Sequence, residues 1–224
     1  MSTVVAVGAR SAAAIDRGTG GIVDQRIRSP RLEPLPPDPG LQREFEAISK
    51  SLGFVPNSML IMQRKPKMVR AWAQMSAAVW DPEGKVDRGL KRLLAHVASR
   101  AAGCRYCMAH TAGGAVHFGV DEAKVAAIWD YQTSPLYSDA ERIALDVAVA
   151  ASTVPNAVTD DMFVRLRDFW TEEQIAEIIG VIAVFGFLNR WNDTMGTPLE
   201  DEPLAFGEKY LSGRGWTPGK HRRA

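Results

Sequence analysis

The stretch SRAAGCRYCMAHTAGGAVHFG, residues 99–119, contains both cysteines of this 224-residue chain. Gly103 interrupts the helical pattern that precedes it, and a new helix is predicted to begin near Cys104. Cys104 and Cys107 are three residues apart, and at about 100° per residue such positions share one face of a helix. We therefore expect the two thiols to meet, which indicates dithiol redox chemistry.

Apolar residues at three- and four-residue steps continue on both sides of this motif, as in amphipathic helices. Ser138 with Glu141, and Thr171 with Gln174, have the spacing of helix caps. No segment shows the clean two-residue alternation of a strand. The pattern predicts an all-α bundle. The helices are expected at residues 41–53, 65–80, 86–102, 104–119, 138–153, 160–169 and 171–196.

The chain is expected to divide into a flexible N-terminal arm at 1–30, a helical domain at 31–210 and a basic C-terminal tail at 211–224. The Pro-rich stretch SPRLEPLPPDPG, residues 29–40, favours extended backbone. We expect it to lie across the body or a neighbouring subunit from about Arg31. His221, in the tail, is expected to be solvated.

Composition narrows the classes of partner. Lys and Arg total 27 and Asp and Glu total 26, so the net charge of +1 gives no reason to expect nucleic acid or an anionic membrane. The apolar run 178–188 is shorter than the ~20 residues of a membrane span, and we expect a buried helix there. No Sec signal peptide is evident, so the cytoplasm is the expected compartment.

The neighbours of the cysteines suggest how the thiols would react. Unpaired backbone N–H groups in a first helical turn, together with Arg105, are expected to lower a thiol pKa. His110 is three residues beyond Cys107 and is a candidate proton acceptor. His96 lies on the preceding helix and faces the thiols if the two helices pack antiparallel. For both histidines, the alternative is a structural role in which the ring only makes a hydrogen bond within the core.

Other uses of the cysteine pair are less well supported. A c-type haem needs histidine directly after the second cysteine, where Met108 stands. Zinc could use both cysteines with His110 and His117, but a continuous helix spreads these ligands too far to converge on one ion. It also remains open that the two cysteines are simply buried as small hydrophobic side chains. No metal and no organic cofactor is expected.

On its motif the chain resembles the carboxymuconolactone decarboxylase / alkylhydroperoxidase-D-like superfamily, in particular its peroxidase-related branch. The motif is Gly-Cys-Arg-Tyr-Cys-Met-Ala-His at 103–110, and the segments 52–57, 64–66, 187–196 and 198–200 are also similar. The resemblance covers about residues 30–205. It implies an oligomeric helical bundle in which Cys107 attacks a hydroperoxide and Cys104 resolves the sulfenic acid as a disulfide.

Two positions depart from the pattern of the best-known members. The glutamate that they carry twelve residues before the first cysteine is Arg92 here. Their histidine four residues after the second cysteine is Thr111 here, with His110 one step earlier. We therefore hypothesise that His96 and His110 form a substitute relay, with Ser99 as a further candidate, and that peroxidase turnover collapses on His96→Ala.

The resulting expectation is an antioxidant, cytoplasmic, homo-oligomeric thiol peroxidase that reduces alkyl hydroperoxides and is recycled by a dithiol reductant. A lyase of the carboxymuconolactone decarboxylase type is one rival, although that chemistry has no need of two cysteines. A non-catalytic oligomer with a redox-sensing dithiol is the other.

Overall fold

The computed structural model describes residues 29–223, and this part of the chain is helical with no strand. The all-α prediction is therefore confirmed. The helices are α1 (Gln42–Leu52), α2 (Asn57–Met62), α3 (Pro66–Val79), α4 (Arg88–Ala101), α5 (Arg105–His117), α6 (Glu122–Ala126), α7 (Asp139–Ser152), α8 (Asp160–Arg167), α9 (Glu172–Met195) and α10 (Asp201–Tyr210).

Helix ends follow the local chemistry of the sequence. Ser138 and Glu141 form a full capping box at α7, and Thr171 with Gln174 does the same at α9. Helix α9 stops at Gly196, whose backbone is left-handed with φ of 59°, a conformation that glycine adopts without strain. These predicted boundaries are confirmed.

Helix α4 is the centre of the bundle. It packs against α5, α7 and α9, and its side chains are buried from Gly89 to Ser99. Leu94 and Ala98 are fully enclosed, and even Lys91 is buried, where it donates to the Val79 carbonyl and pairs with Glu177 at 2.7 Å. A helix buried on all sides fixes the position of each neighbour, because interiors are close-packed.

Helix α9 is long and apolar enough to cross a membrane by length and composition alone. In the fold, Ile178, Val181 and Phe185 of this helix are buried in the main core, as in the core helix of a soluble domain. The expectation of a buried helix at 178–188 is met on one face of the segment, whereas Ala183 and Phe187 are exposed.

Three short helices, α2, α6 and α10, were not predicted. Helix α10 matters most, because it packs along α5. A Cβ at Gly113 would lie 2.9 Å from the Phe206 ring, so glycine permits the close approach of the two helices. This contact brings Glu200, directly before α10, to the cysteine-bearing helix.

Both flanking segments lie against the bundle where they are described. The Arg31 amide donates to the Met195 carbonyl and the Leu35 amide to the Leu60 carbonyl, as expected for an arm that crosses the body. Residues 1–28, which make up most of the expected flexible arm, fall outside the described residues. In the tail, His221 is fully buried and bonds the Thr197 carbonyl at 2.7 Å. The expectation that His221 is solvated was therefore wrong.

Candidate active site

The two thiols meet at the start of α5. Cys104 is the N-cap of this helix, and its sulfur accepts the Cys107 backbone N–H at 3.3 Å. The two Sγ atoms lie 2.7 Å apart and both cysteines are free. Gly103, with φ of 75°, makes the turn from α4 that allows this arrangement.

Access to the two sulfurs differs. Both cysteines are buried, but Cys107 lines a cavity of about 250 Å³ and Cys104 does not. A molecule in the cavity therefore reaches Cys107 first, with Cys104 directly behind it. This placement agrees with the order of attack and resolution that the resemblance implies.

The environment of Cys107 corrects the expected acidity. Burial raises the pKa of the Cys107 thiol well above its usual value, and the adjacent Cys104 raises it further. The Asn192 side-chain amide, 3.6 Å from the sulfur, offsets part of this effect. Arg105 turns outward and donates to Thr217. The lowered pKa expected from the helix start was wrong for Cys107, because desolvation outweighs the helix N-terminus.

Asn192, near the end of α9, contacts both a residue beyond the helix end and the thiol. The Thr197 hydroxyl donates to Asn192 Oδ1 at 3.0 Å, which orients the Nδ2 group toward Cys107. Asn192 and Thr197 are both buried. The amide is thus held as a fixed donor for charge that develops on the sulfur.

The cavity lies between α1, α2, α3, α4, α5 and α9. Its wall is largely apolar and aromatic, formed by Ile48, Leu52, Met59, Trp72, Ala73, Trp80, Phe185 and Leu188. The polar groups in the wall are Arg88, Arg92, Tyr106, His110, Thr111 and Asn192, together with three serines. This composition suits an uncharged or singly charged organic molecule of about one ring.

A carboxylate–histidine pair stands beside the cavity. His110 Nε2 lies 2.7 Å from Glu200 Oε2, and the Tyr106 hydroxyl donates to Glu200 Oε1 at 2.9 Å. The Asn57 backbone amide donates to the same carboxylate. Burial works to raise the pKa of Glu200, but the charge and hydrogen bond of His110 and the Asn57 amide together hold it below its usual value. Glu200 therefore stays ionised and orients His110.

Glu200 was missed as a site residue by sequence reasoning, which placed it only in the similar C-terminal segment. It is ninety positions from His110 in the chain, and no spacing rule links them. Only the packing of α10 on α5 joins the two.

His96 has a different role from the one hypothesised. It is buried, and its Nδ1 lies 3.0 Å from Thr111 Oγ1 and 3.2 Å from the Met108 carbonyl. It does not line the cavity, and His110 pairs with Glu200 instead. The hypothesis of a His96–His110 relay is therefore replaced by two separate contacts. Ser99 donates to the Ala95 carbonyl at 2.7 Å, within its own helix.

Within residues 29–223 no group of three or more His, Cys, Asp or Glu side chains is placed to hold a metal ion. His117, which the zinc alternative requires, is exposed near the far end of α5. The site as described is a buried dithiol that opens on an apolar cavity, with a histidine and a carboxylate at its edge.

This fold and site define a class of all-helical dithiol proteins, and comparison gives the family. Residues 66–150 match the model of the carboxymuconolactone decarboxylase family. The debrominase Bmp8, solved as a cysteine-to-alanine variant with 2,3,4-tribromopyrrole, is 35% identical; the match covers 80% of this chain and 96% of that one, with a TM-score of 0.76. The chain belongs to the carboxymuconolactone decarboxylase / alkylhydroperoxidase-D-like superfamily.

Two further relatives extend the comparison. A peroxidase-related protein from a Silicibacter species has a TM-score of 0.68 and 21% identity over 78% of this chain and 94% of its own, which supports the fold. The Escherichia coli protein YnjA is 31% identical over 97 residues, 43% of this chain. The chain spans about half of the length of YnjA, 53%.

The raised pKa of Cys107 predicts a steep pH dependence of thiol reactivity. Alkylation of Cys107 by iodoacetamide in a Cys104→Ser variant should rise about tenfold per pH unit from pH 6 to 9 without a plateau, because the thiolate fraction is still small. Stopped alkylation followed by mass spectrometry measures the rate, with a small free thiol as reference. A plateau below pH 7 would contradict the raised pKa.

Burial lowers the pKa of His96 from 6.5 to about 4, with the charge of Arg100 acting in the same direction. The unfolded chain then takes up the proton first, so stability should fall by about 3 kcal/mol as the pH drops from 6.5 towards 4. Urea unfolding at several pH values should show a weaker acid dependence in His96→Gln. The exposed His117→Gln serves as control and should match the wild type. Equal slopes for His96→Gln and wild type would refute the neutral, buried state of His96.

Proposed function

We propose that this protein is a thiol-dependent reductase in which Cys107 attacks a small apolar electrophile and Cys104 closes the disulfide. The observation that carries the proposal is the exposure of Cys107, but not Cys104, to the apolar cavity, with the second sulfur 2.7 Å behind it. An apolar wall excludes water, so that an oxidised sulfur is intercepted by the neighbouring thiol before side reactions occur.

The first substrate class is an alkyl hydroperoxide, in line with the peroxidase-related proteins that share the fold. The Cys107 thiolate attacks the terminal oxygen, the O–O bond breaks, and the alkoxide takes up a proton to leave as the alcohol. Cys107 is then a sulfenic acid, and attack by the Cys104 sulfur releases water and forms the disulfide. An external dithiol supplies the two electrons that restore both thiols.

Reductive dehalogenation is the second candidate, and a specific observation favours it. The relative at 35% identity is a debrominase solved with a tribrominated pyrrole. The cavity here is lined by aromatic side chains and has about the size of a one-ring molecule. In such a step the Cys107 thiolate takes the bromine, the carbon keeps the electron pair and is protonated, and Cys104 expels bromide as the disulfide forms. Both candidates use the same dithiol and the same external reductant.

His110 is the proposed proton carrier for either reaction. It lines the cavity together with Cys107, and its Nε2 is held by Glu200. A histidine so oriented can take the thiol proton and pass it to the leaving alkoxide or the carbanion. The buried Glu200 charge stabilises the imidazolium that exists between the two transfers.

The wider setting is part of the same proposal. We place the protein in the cytoplasm, as a homo-oligomer with antioxidant or detoxifying activity that depends on a cellular dithiol. The cavity wall contains Trp72 of α3 and Trp80, directly after that helix. The exposed Met75 of α3 offers an apolar contact for a second subunit. A lyase has no use for the sulfur pair. A redox sensor would oxidise once and show little turnover.

Turnover with dithiothreitol as reductant tests the proposal. Cumene hydroperoxide and 2,3,4-tribromopyrrole are offered separately, and thiol consumption and bromide release are measured. We expect many turnovers with at least one of them, at least a hundredfold loss in Cys107→Ser, and about tenfold slowing in Cys104→Ser, where oxidised Cys107 waits for dithiothreitol. Failure of both substrates, or full activity in Cys107→Ser, would refute the proposal.

The carboxylate behind His110 gives a second test. Glu200→Gln keeps the shape but removes the charge that stabilises imidazolium, so kcat should fall about 10- to 100-fold while the thiols remain in place. Asp201→Asn, an exposed acid one residue further on, is the matched control and should stay within twofold. An unchanged kcat in Glu200→Gln would remove the carboxylate from the mechanism.

A further inference from the structure

The charge of the cavity wall is not balanced. Arg88 and Arg92 line it, and no aspartate or glutamate is among the lining residues. Glu200, the nearest carboxylate in the mechanism, is already bonded to His110, Tyr106 and the Asn57 amide. The cavity therefore has two fixed positive groups and no negative one.

Arg92 is the more informative of the two arginines. It is only 7% exposed, its Nε has no hydrogen-bond partner, and it takes part in no ion pair among the described residues. Its guanidinium lies 4.0 Å from the centroid of the Trp80 ring and 4.9 Å from that of Phe118. A Cβ at Gly114 would come within 3.2 Å of Arg92 Cδ, so glycine leaves the space that this side chain fills.

A buried, unpaired guanidinium is energetically expensive unless a counter-charge reaches it. Stacking on aromatic rings recovers only part of that cost. Burial, and then the nearby charge of Arg88, lower the pKa of Arg92 to about 10, which leaves it fully charged at neutral pH. Arg92 lines the cavity, so the charged group of a ligand bound there can supply the counter-charge.

We propose that the cavity binds a small organic anion whose charged group contacts Arg92 and whose apolar body extends toward Cys107. The second half of this statement rests on the proposed function, since it places the reacting atom at the Cys107 thiol. The first half rests on the wall of the cavity alone.

Helix geometry sets the size of this anion. Arg92 packs over Gly114, which is seven residues from Cys107 along α5, or about 10 Å at 1.5 Å per residue. Both arginine and thiol side chains reach into the space between these points. The ligand that fits is a monoanion with one ring, or a short chain of similar length, between a carboxylate or ionised ring and its reacting atom.

The carboxylate that pairs with His110, Glu200, is not among the residues that line the cavity. The wall of the cavity is therefore positive and can receive an anion.

Benzoate and benzamide test the proposal as a matched pair, because they share size and shape and differ in charge. Binding of each to the reduced full-length protein is measured by titration calorimetry. We expect benzoate to bind at least tenfold more tightly than benzamide to the wild type. Arg92→Met should reduce this preference below twofold, whereas Arg92→Lys, which keeps the charge, should retain most of it.

Arg100→Met is the control for loss of a stacked guanidinium. Arg100 is exposed on the same helix, with its guanidinium 4.2 Å from the Trp129 ring, and does not line the cavity. This variant should keep the full preference for benzoate. Equal binding of the two probes by the wild type, or an unchanged preference in folded Arg92→Met, would overturn the proposal.

Neither probe reacts with a thiol, so this experiment is independent of turnover. A benzoate preference without any reduction of hydroperoxide or tribromopyrrole would refute the proposed function and leave the anion site standing. Turnover without the benzoate preference would refute the anion site and leave the proposed function standing.

Discussion

The packing of α4 against α5 is the constraint on which the site depends. The turn at Gly103 joins the two helices and makes Cys104 the N-cap of α5, which sets its sulfur against Cys107. The same interface holds His96 against Thr111 and Arg92 over Gly114. Because α4 is buried on nearly every side, none of these contacts can shift without disturbing the core.

The surroundings of Cys107 show two requirements of a reactive thiol that oppose each other: protection of the sulfur and a sufficient fraction of thiolate. An apolar cavity protects the reacting sulfur but raises its pKa, which lowers the fraction of thiolate. The Asn192 amide lies against the sulfur and offsets part of this rise in pKa. In the proposed mechanism, the His110–Glu200 pair at the edge of the cavity takes the proton of the thiol. Reactivity in this account comes from proton transfer on demand rather than from a standing thiolate.

Much of the fold was readable from the sequence because its signals are local. Capping boxes at Ser138 and Thr171 and the stop at Gly196 depend on residues within a few positions of each other, and the structure has them as predicted. The proximity of Cys104 and Cys107 is likewise a matter of helix spacing. Short helices such as α2 and α10 escaped prediction, because five to ten residues are stabilised mainly by tertiary contacts.

The polar contacts of the site could not be predicted from such local sequence signals. The partner of His110 is ninety residues away, and the contact exists only because α10 docks on α5. The acidity of Cys107 was misjudged because a helix start is visible in sequence, while the desolvation that outweighs it depends on the assembled core. His221 was misjudged for the same reason, since a basic tail gives no sign that one of its residues is enclosed.

The central claim is that Cys107 is the reacting thiol and Cys104 the one that resolves it. Free-thiol titration with intact mass, before and after one equivalent of cumene hydroperoxide, tests it most directly. The account predicts loss of two thiols and two mass units in the wild type, and a sulfenic acid trapped in Cys104→Ser but not in Cys107→Ser. A sulfenic acid that forms only in Cys107→Ser, or thiols that stay reduced in the wild type, would contradict it.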